Sequence, residues 1–290
     1  MSRLIVPLCL LVIASFPTQA WAERADPPIW IVRNADSVVY MAGTVHMMRG
    51  EDNTGLALYS ELVAKSDAVW LEIADISNPP PSMFALIAQY GLSPERPLTD
   101  VLEDADLEAL AALLAEHGVP LESYLDARPW FAYLQVTGLV LGAAGFDPAQ
   151  GLDIYIEELA RSHAIPVHGF ESFEGQFQVF ADMDEATQVG LLREVLFEAD
   201  RSIEELIVSL DAWTTGDLAP LEAILEEMRR SSPEFYDALL VERNREFADG
   251  IEAILQGEGR VMVAVGLAHF AGPDSIPAIL EDRGYSVEYR

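Results

Sequence analysis

The sequence predicts a single mixed α/β domain with a large helical portion. Three observations lead there: short apolar runs with strand patterning lie near both ends, a long stretch of helical periodicity fills the middle, and no linker or internal repeat divides the 290 residues. Strands far apart in the chain must then complete one sheet.

The elements follow in order. Residues 1–22 read as a Sec-type signal peptide, with Arg3 as a positive n-region, an apolar run from Leu4 to Phe16, and the small-x-small pattern Ala20-Trp21-Ala22. That run falls short of the roughly 20 residues a membrane-spanning helix needs, so residues 23–290 are expected as an exported domain, periplasmic or secreted, without integral membrane association. Ile29 to Arg33 and Ser37 to Ala42 flank the polar Asn34-Ala35-Asp36, the signature of a β-hairpin. Residues 55–65 carry a helical pattern, and Asp67 to Ile73 is a short apolar strand holding one carboxylate, Glu72. Asn78-Pro79-Pro80-Pro81 breaks the chain and opens a long helical region, with helices expected over 104–116, 130–141 and 152–162. Ile165 to Phe170 is another strand. From 184 to 256 the pattern is almost wholly helical, with breaks at Gly216 and at Ser231-Ser232-Pro233. Val261 to Val265 is the clearest buried strand, 273–282 reads as a helix, and 286–289 as a closing strand.

Composition removes several function classes. Lys and Arg number 17 against 48 Asp and Glu, a net charge of -31, which repels a nucleic-acid backbone. Removal of residues 1–22 would take away Arg3 and the sole cysteine, Cys9, so disulfides, thiolate catalysis and cysteine-ligated metals are not expected of the mature protein. No H-E-x-x-H, G-x-S-x-G, P-loop or G-x-G-x-x-G signature is present.

The candidates for chemistry lie at strand ends. His46 follows the hairpin in Gly43-Thr44-Val45-His46, Glu72 lies within the second apolar strand, Glu171 follows the third, and His269 follows the last in Gly266-Leu267-Ala268-His269. Ligands of open α/β sheets bind at the carboxyl ends of strands, so these residues are expected to converge. Each G-x-x-H is weak alone; two copies, each after an apolar strand, suggest that glycine turns the backbone toward a site. Glu72, between Leu71 and Ile73, is either a solvent-facing edge residue or a buried carboxylate needing a partner. Arg243 shares the helical stripe of Tyr236, Leu240, Phe247, Ile251 and Ile254, where a guanidinium requires an anion opposite it. Arg245 points elsewhere, His117 and His163 read as helix-terminal structural residues, and His168 stays ambiguous.

Taken in order, these pieces resemble the TraB/GumN family, which includes the TIKI metalloproteases. The resemblance rests on Gly43 to His46, Glu72 in Val-Trp-Leu-Glu-Ile, Arg128-Pro129-Trp130, Gly151-Leu152-Asp153, His168 to Glu171, Glu242 to Arg245, and Gly266 to His269 with Gly272-Pro273-Asp274 after it. It implies a fold similar to erythromycin esterase and ChaN-like proteins, with both histidines, Glu72 and Arg243 in one pocket, and a metal-dependent peptidase activity. His46 and His269 would ligate a divalent metal (Mn, Co or Zn), with Glu72 as third ligand or as general base, and Arg243 would stabilise an oxyanion or hold a substrate carboxylate. The expected partner is a peptide or small-molecule substrate. Two other readings stay open: a metal-independent esterase-like hydrolase with a histidine as base, and a non-catalytic binding protein for a peptide or small ligand.

Overall fold

The computed structural model describes residues 27–50 and 55–290; the segment read as a signal peptide lies outside them. Six strands form one mixed sheet: β1 (Ile29–Arg33), β2 (Ser37–Thr44), β3 (Ala68–Ile73), β4 (Val167–Glu171), β5 (Gly259–Gly266) and β6 (Val287–Tyr289), in the order β4-β3-β5-β2-β1-β6. The expected hairpin is present, with Val32 opposite Val39 and Arg33 opposite Val38. β2, β5, β3 and β4 run parallel, whereas β6 returns antiparallel beside β1. A parallel neighbour needs a long crossover, which explains why the helices fall between strands rather than after them.

The helices are α1 (Leu56–Lys65), α2 (Met83–Leu86), α3 (Asp104–Glu116), α4 (Pro129–Ala143), α5 (Leu152–Ser162), α6 (Phe173–Ala181), α7 (Glu185–Phe197), α8 (Ala199–Thr215), α9 (Ala219–Ser231), α10 (Pro233–Tyr236), α11 (Glu242–Leu255) and α12 (Ile276–Asp282). α1 and α5 pack together against β5 and β3. α11 covers the face carrying Trp70, where Phe247 meets Phe170 and Phe170 meets Trp70 at centroid distances of 5.2 and 5.0 Å. A second apolar core, including Leu110, Leu114, Val136, Val140, Leu192 and Val195, is enclosed by α3, α4 and α7 away from the sheet.

Local differences from the sequence reading have physical causes. Helix α6 was not expected; its N-cap Ser172, whose hydroxyl accepts from the Gly175 N–H at 3.0 Å, is a start signal placed directly after a strand. The long helical stretch also breaks at Glu198, where ψ turns to 40°. The helix expected over 273–282 begins only at Ile276, capped by Ser275. Between α10 and α11, Asp237–Val241 forms a π turn, so the chain from Pro233 to Leu255 contains one loosened turn immediately before Arg243.

Candidate functional site

Parallel pairing brings four strand ends to one edge: Thr44 of β2 lies beside Gly266 of β5, Leu71 of β3 beside Ala264, and Ile73 beside Glu171 of β4. His46, Glu72, Glu171 and His269 therefore gather at the carboxyl edge of the sheet. Glu72 belongs to an interior strand, not an edge, and is 6% exposed.

The two glycines of the G-x-x-H pairs act by yielding space. Neither has a positive φ, so neither makes the sharp turn expected of it. A Cβ on Gly43 would run into the Leu267 side chain, and one on Gly266 would lie 3.1 Å from Glu72 Oε1, 3.4 Å from His46 Nε2 and 3.6 Å from the His269 ring. Three candidate side chains thus meet around a single missing methyl group.

Each imidazole is oriented from behind. Asp153, in the first turn of α5, accepts from His46 Nδ1 at 2.7 Å and from the Thr44 hydroxyl at 2.6 Å, leaving His46 Nε2 toward Gly266. This carboxylate holds the His46 pKa well above the usual value, while water reaches the ring from an adjoining cavity. Gly151 lets α5 approach, since a Cβ there would strike the His46 carbonyl, and Leu152 N–H donates to Val45 at 3.0 Å. On the other side, Asn244 donates its amide N–H to the Asp274 carbonyl at 2.7 Å. Its oxygen must then accept from His269 Nδ1, 2.6 Å away, which leaves an unprotonated Nε2 on the neutral ring. Burial pushes the His269 pKa down to about 3, so the ring is neutral near pH 7.

Glu72 is held on both oxygens. Oε1 accepts from Gly266 N–H at 2.6 Å and faces His269 Nε2 at 3.5 Å; Oε2 accepts from Arg243 Nη2 at 2.6 Å. Burial opposes its ionisation, but the facing His269 and His46 rings, Arg243 and the Gly266 N–H outweigh it and keep the carboxyl far below the usual range. Arg243 also grips Glu171, through Nε at 2.6 Å and Nη2 at 2.9 Å, and donates from Nη1 to the Leu239 carbonyl within the π turn at 3.1 Å. Burial raises the Glu171 pKa despite that grip. With four N–H bonds spent on the protein, the guanidinium chiefly fixes Glu72 and Glu171.

The four residues singled out from sequence are therefore placed together. His168 is exposed on edge strand β4, its ring 4.9 Å from Trp70, and Arg245 is exposed. His163 Nδ1–H donates to the Leu159 carbonyl at the end of α5. Sequence reasoning assigned no role to Asp153, Asn244 or Gln176, whose amide lies 3.5 Å from Glu72 Oε2. Asn244 carried a usable signal, since a polar amide one residue after Arg243 lies on the same apolar helical stripe. Asp153 was marked only as the last residue of the Gly151-Leu152-Asp153 piece of the resemblance, and nothing else set it apart among 48 acidic residues.

A cavity of about 530 Å³ opens over this floor, between the sheet edge and α4, α5, α6 and the π turn. Among the described residues no group of three or more His, Cys, Asp or Glu side chains is closed to metal-holding spacing. The donor chemistry nevertheless fits a divalent cation that displaces the Nε2 proton of His46: two imidazole Nε2 atoms with Nδ1 anchored by Asp153 and Asn244, and one carboxylate oxygen. A neutral Nε2 and an anionic Oε1 facing each other are both acceptors, and a cation between them would satisfy both.

A model of the TraB/PrgY/gumN family matches residues 28–289. No curated protein and no solved structure matches the chain.

Proposed function

The chain belongs to the TraB/PrgY/gumN family, and from that premise we propose that it is a metal-assisted hydrolase, acting on peptide bonds, with His46, His269 and Glu72 as the ligand set. The observation that carries the reading is the pair of facing acceptors, His269 Nε2 and Glu72 Oε1, 3.5 Å apart, with His46 Nε2 converging on the same glycine. A divalent cation there would supply Lewis acidity at a substrate carbonyl. Glu72 is read as a ligand because its Oε1, fixed by the Gly266 N–H, faces His269 Nε2, while Arg243 holds its other oxygen. Arg243 keeps Glu72 ionised and aimed. Asp153 and Asn244 hold the two rings so that only Nε2 of each faces the substrate. The assignment to the periplasm or outside the cell rests on the pattern of residues 1–22 alone.

The test is metal content and peptide hydrolysis of the mature chain, for wild type, His46→Ala and Glu72→Gln. Expected are close to one bound Mn, Co or Zn per chain, loss of turnover in chelator, and loss of both metal and turnover in each variant. Equal turnover in wild type and His46→Ala would sink the proposal. A second reading is favoured by the His46 to Asp153 contact, an imidazole and carboxylate pair able to move protons without a metal. Turnover that survives chelator but not His46→Ala selects it.

A further inference from the structure

We infer that the cavity over the site selects a substrate carrying a bulky, uncharged apolar group, of leucine or phenylalanine size, beside the bond that reacts. The inference deepens the hydrolase reading and rests on it for the words "bond that reacts". It stands on the cavity walls. Ile76, Leu134, Ile154, Val179, Phe180 and Leu239 line the space, and none of the six is fully buried in the free protein.

These six residues come from five separate places: the loop after β3, α4, α5, α6 and the π turn. Two of these helices bury other apolar side chains while leaving the wall residue open. α4 buries Trp130, Val136 and Val140 in the interior, yet Leu134 on the same helix is 36% exposed, among the few large apolar side chains left open. α5 likewise buries Ile156 and Ala160 while Ile154 remains partly open. Apolar surface is left to water at a cost roughly proportional to its area, which a ligand group entering the space would remove.

Charge is arranged to match. The ionisable lining groups, His46, Glu72, Asp153 and Arg243, all belong to the floor, and the remaining polar wall residue, Gln176, is neutral. A chain with 48 acidic residues thus keeps carboxylates off the walls. A second space of about 590 Å³ lies behind Arg243 and differs sharply, being lined by Glu171, Asp182, Glu234, Asp237, Glu242 and Glu246 among others. A cationic side chain would have its natural partners there, not over Glu72. The volume of about 530 Å³ lies within the usual range for ligand pockets, enough for one large side chain and adjoining backbone.

The experiment uses peptides Ala-Ala-Xaa-Ala-Ala with Xaa as Ala, Leu, Phe, Lys or Asp, measuring kcat/KM by product formation and Kd by calorimetry. Each buried methylene is worth about fourfold, so Leu and Phe should exceed Ala at least tenfold, with Lys and Asp no better than Ala. Leu134→Lys, at a position already partly open, should cut the Phe to Ala ratio about tenfold and raise the relative standing of Asp. Ile154→Trp, which fills the space, should lower Phe below Leu. Tighter binding of Phe with no turnover upholds the apolar pocket and removes the hydrolase reading. Turnover with Ala equal to Phe upholds the hydrolase and overturns the pocket inference, and so does a preference for Lys, which would place the side chain in the acidic space.

Discussion

His46 and His269 are the same residue type at the same spacing of three from a strand glycine, and their surroundings drive them apart. Asp153 raises the first to about 9, and burial lowers the second to about 3. Asp153→Asn should therefore bring His46 down toward 6.5, read from its ring resonances during a pH titration of the metal-free protein; an unmoved titration would remove Asp153 as the cause. Because the folded pKa of His46 lies above its unfolded value, the pair contributes stability fully below about pH 6.5 and loses it as pH rises through about 9. Wild type should accordingly lose more Tm over that window than Asp153→Asn does. Asn244→Ala leaves His269 without its orienting acceptor and should weaken metal binding about 10- to 100-fold with little change in fold, measured by metal titration and circular dichroism. None of this pairing could be read from the chain: His46 and Asp153 are 107 positions apart and His269 and Asn244 are 25, distances over which sequence periodicity carries no contact information.

At the scale of elements, the strands were legible because apolar runs bounded by Gly, Pro and Asn have few alternatives. The hairpin and the helix over 152–162 fall where the pattern placed them. The π turn and α6 were not, since a π turn depends on one extra residue that leaves helical periodicity nearly intact, and α6 is short with one side over the cavity. The loop after β3, which carries Ile76 into the cavity wall, was also opaque. It is pinned by the buried Glu157 of α5, which accepts from Asp75 N–H and Ser77 N–H at 2.7 Å each and pairs with Arg161 at 2.8 Å. Asp75 has φ 64°, a left-handed conformation that a non-glycine residue holds only when surroundings impose it. Burial works against the ionised Glu157, but those N–H groups and Arg161 prevail and lower its pKa. A depressed carboxylate stabilises the fold above its unfolded pKa and loses that contribution as pH falls through the folded value. Glu157→Ala should cost about 1–3 kcal/mol by denaturant unfolding and release the Asp75 and Ser77 amides to faster hydrogen exchange. Unchanged exchange at both amides would show that another contact holds the loop. Trp130, fully buried and stacked on Phe180 of the cavity wall at 5.7 Å, is the matching anchor on the helical side; Trp130→Ala should cost about 3–5 kcal/mol.

Over the whole molecule, the charge of -31 is spread mainly on exposed helix faces, and among the described residues only Glu72, Asp106, Asp153 and Glu157 are buried acids. Two of these four build the site, whereas Asp106 pairs with Arg193 at 2.8 Å and Glu157 pins a loop. A net charge so far from zero opposes compaction, and salt screens it. Tm should rise between about 10 and 200 mM salt, and a flat or falling curve would show that local ion pairs outweigh the global repulsion. No helix among the described residues is long and apolar enough to cross a membrane. The order in which the sheet is threaded carries a last consequence. A chain emerging from its amino end presents His46, Glu72, Asp153 and Glu171 well before Arg243 and His269, and β5 slots between β3 and β2, which were made long before it. The growing chain thus holds three acids and one imidazole before it gains the guanidinium of Arg243, and later the ring of His269, that give them a common geometry. The geometry of this edge is therefore complete only once β5 has been inserted between β3 and β2 and His269 has followed it.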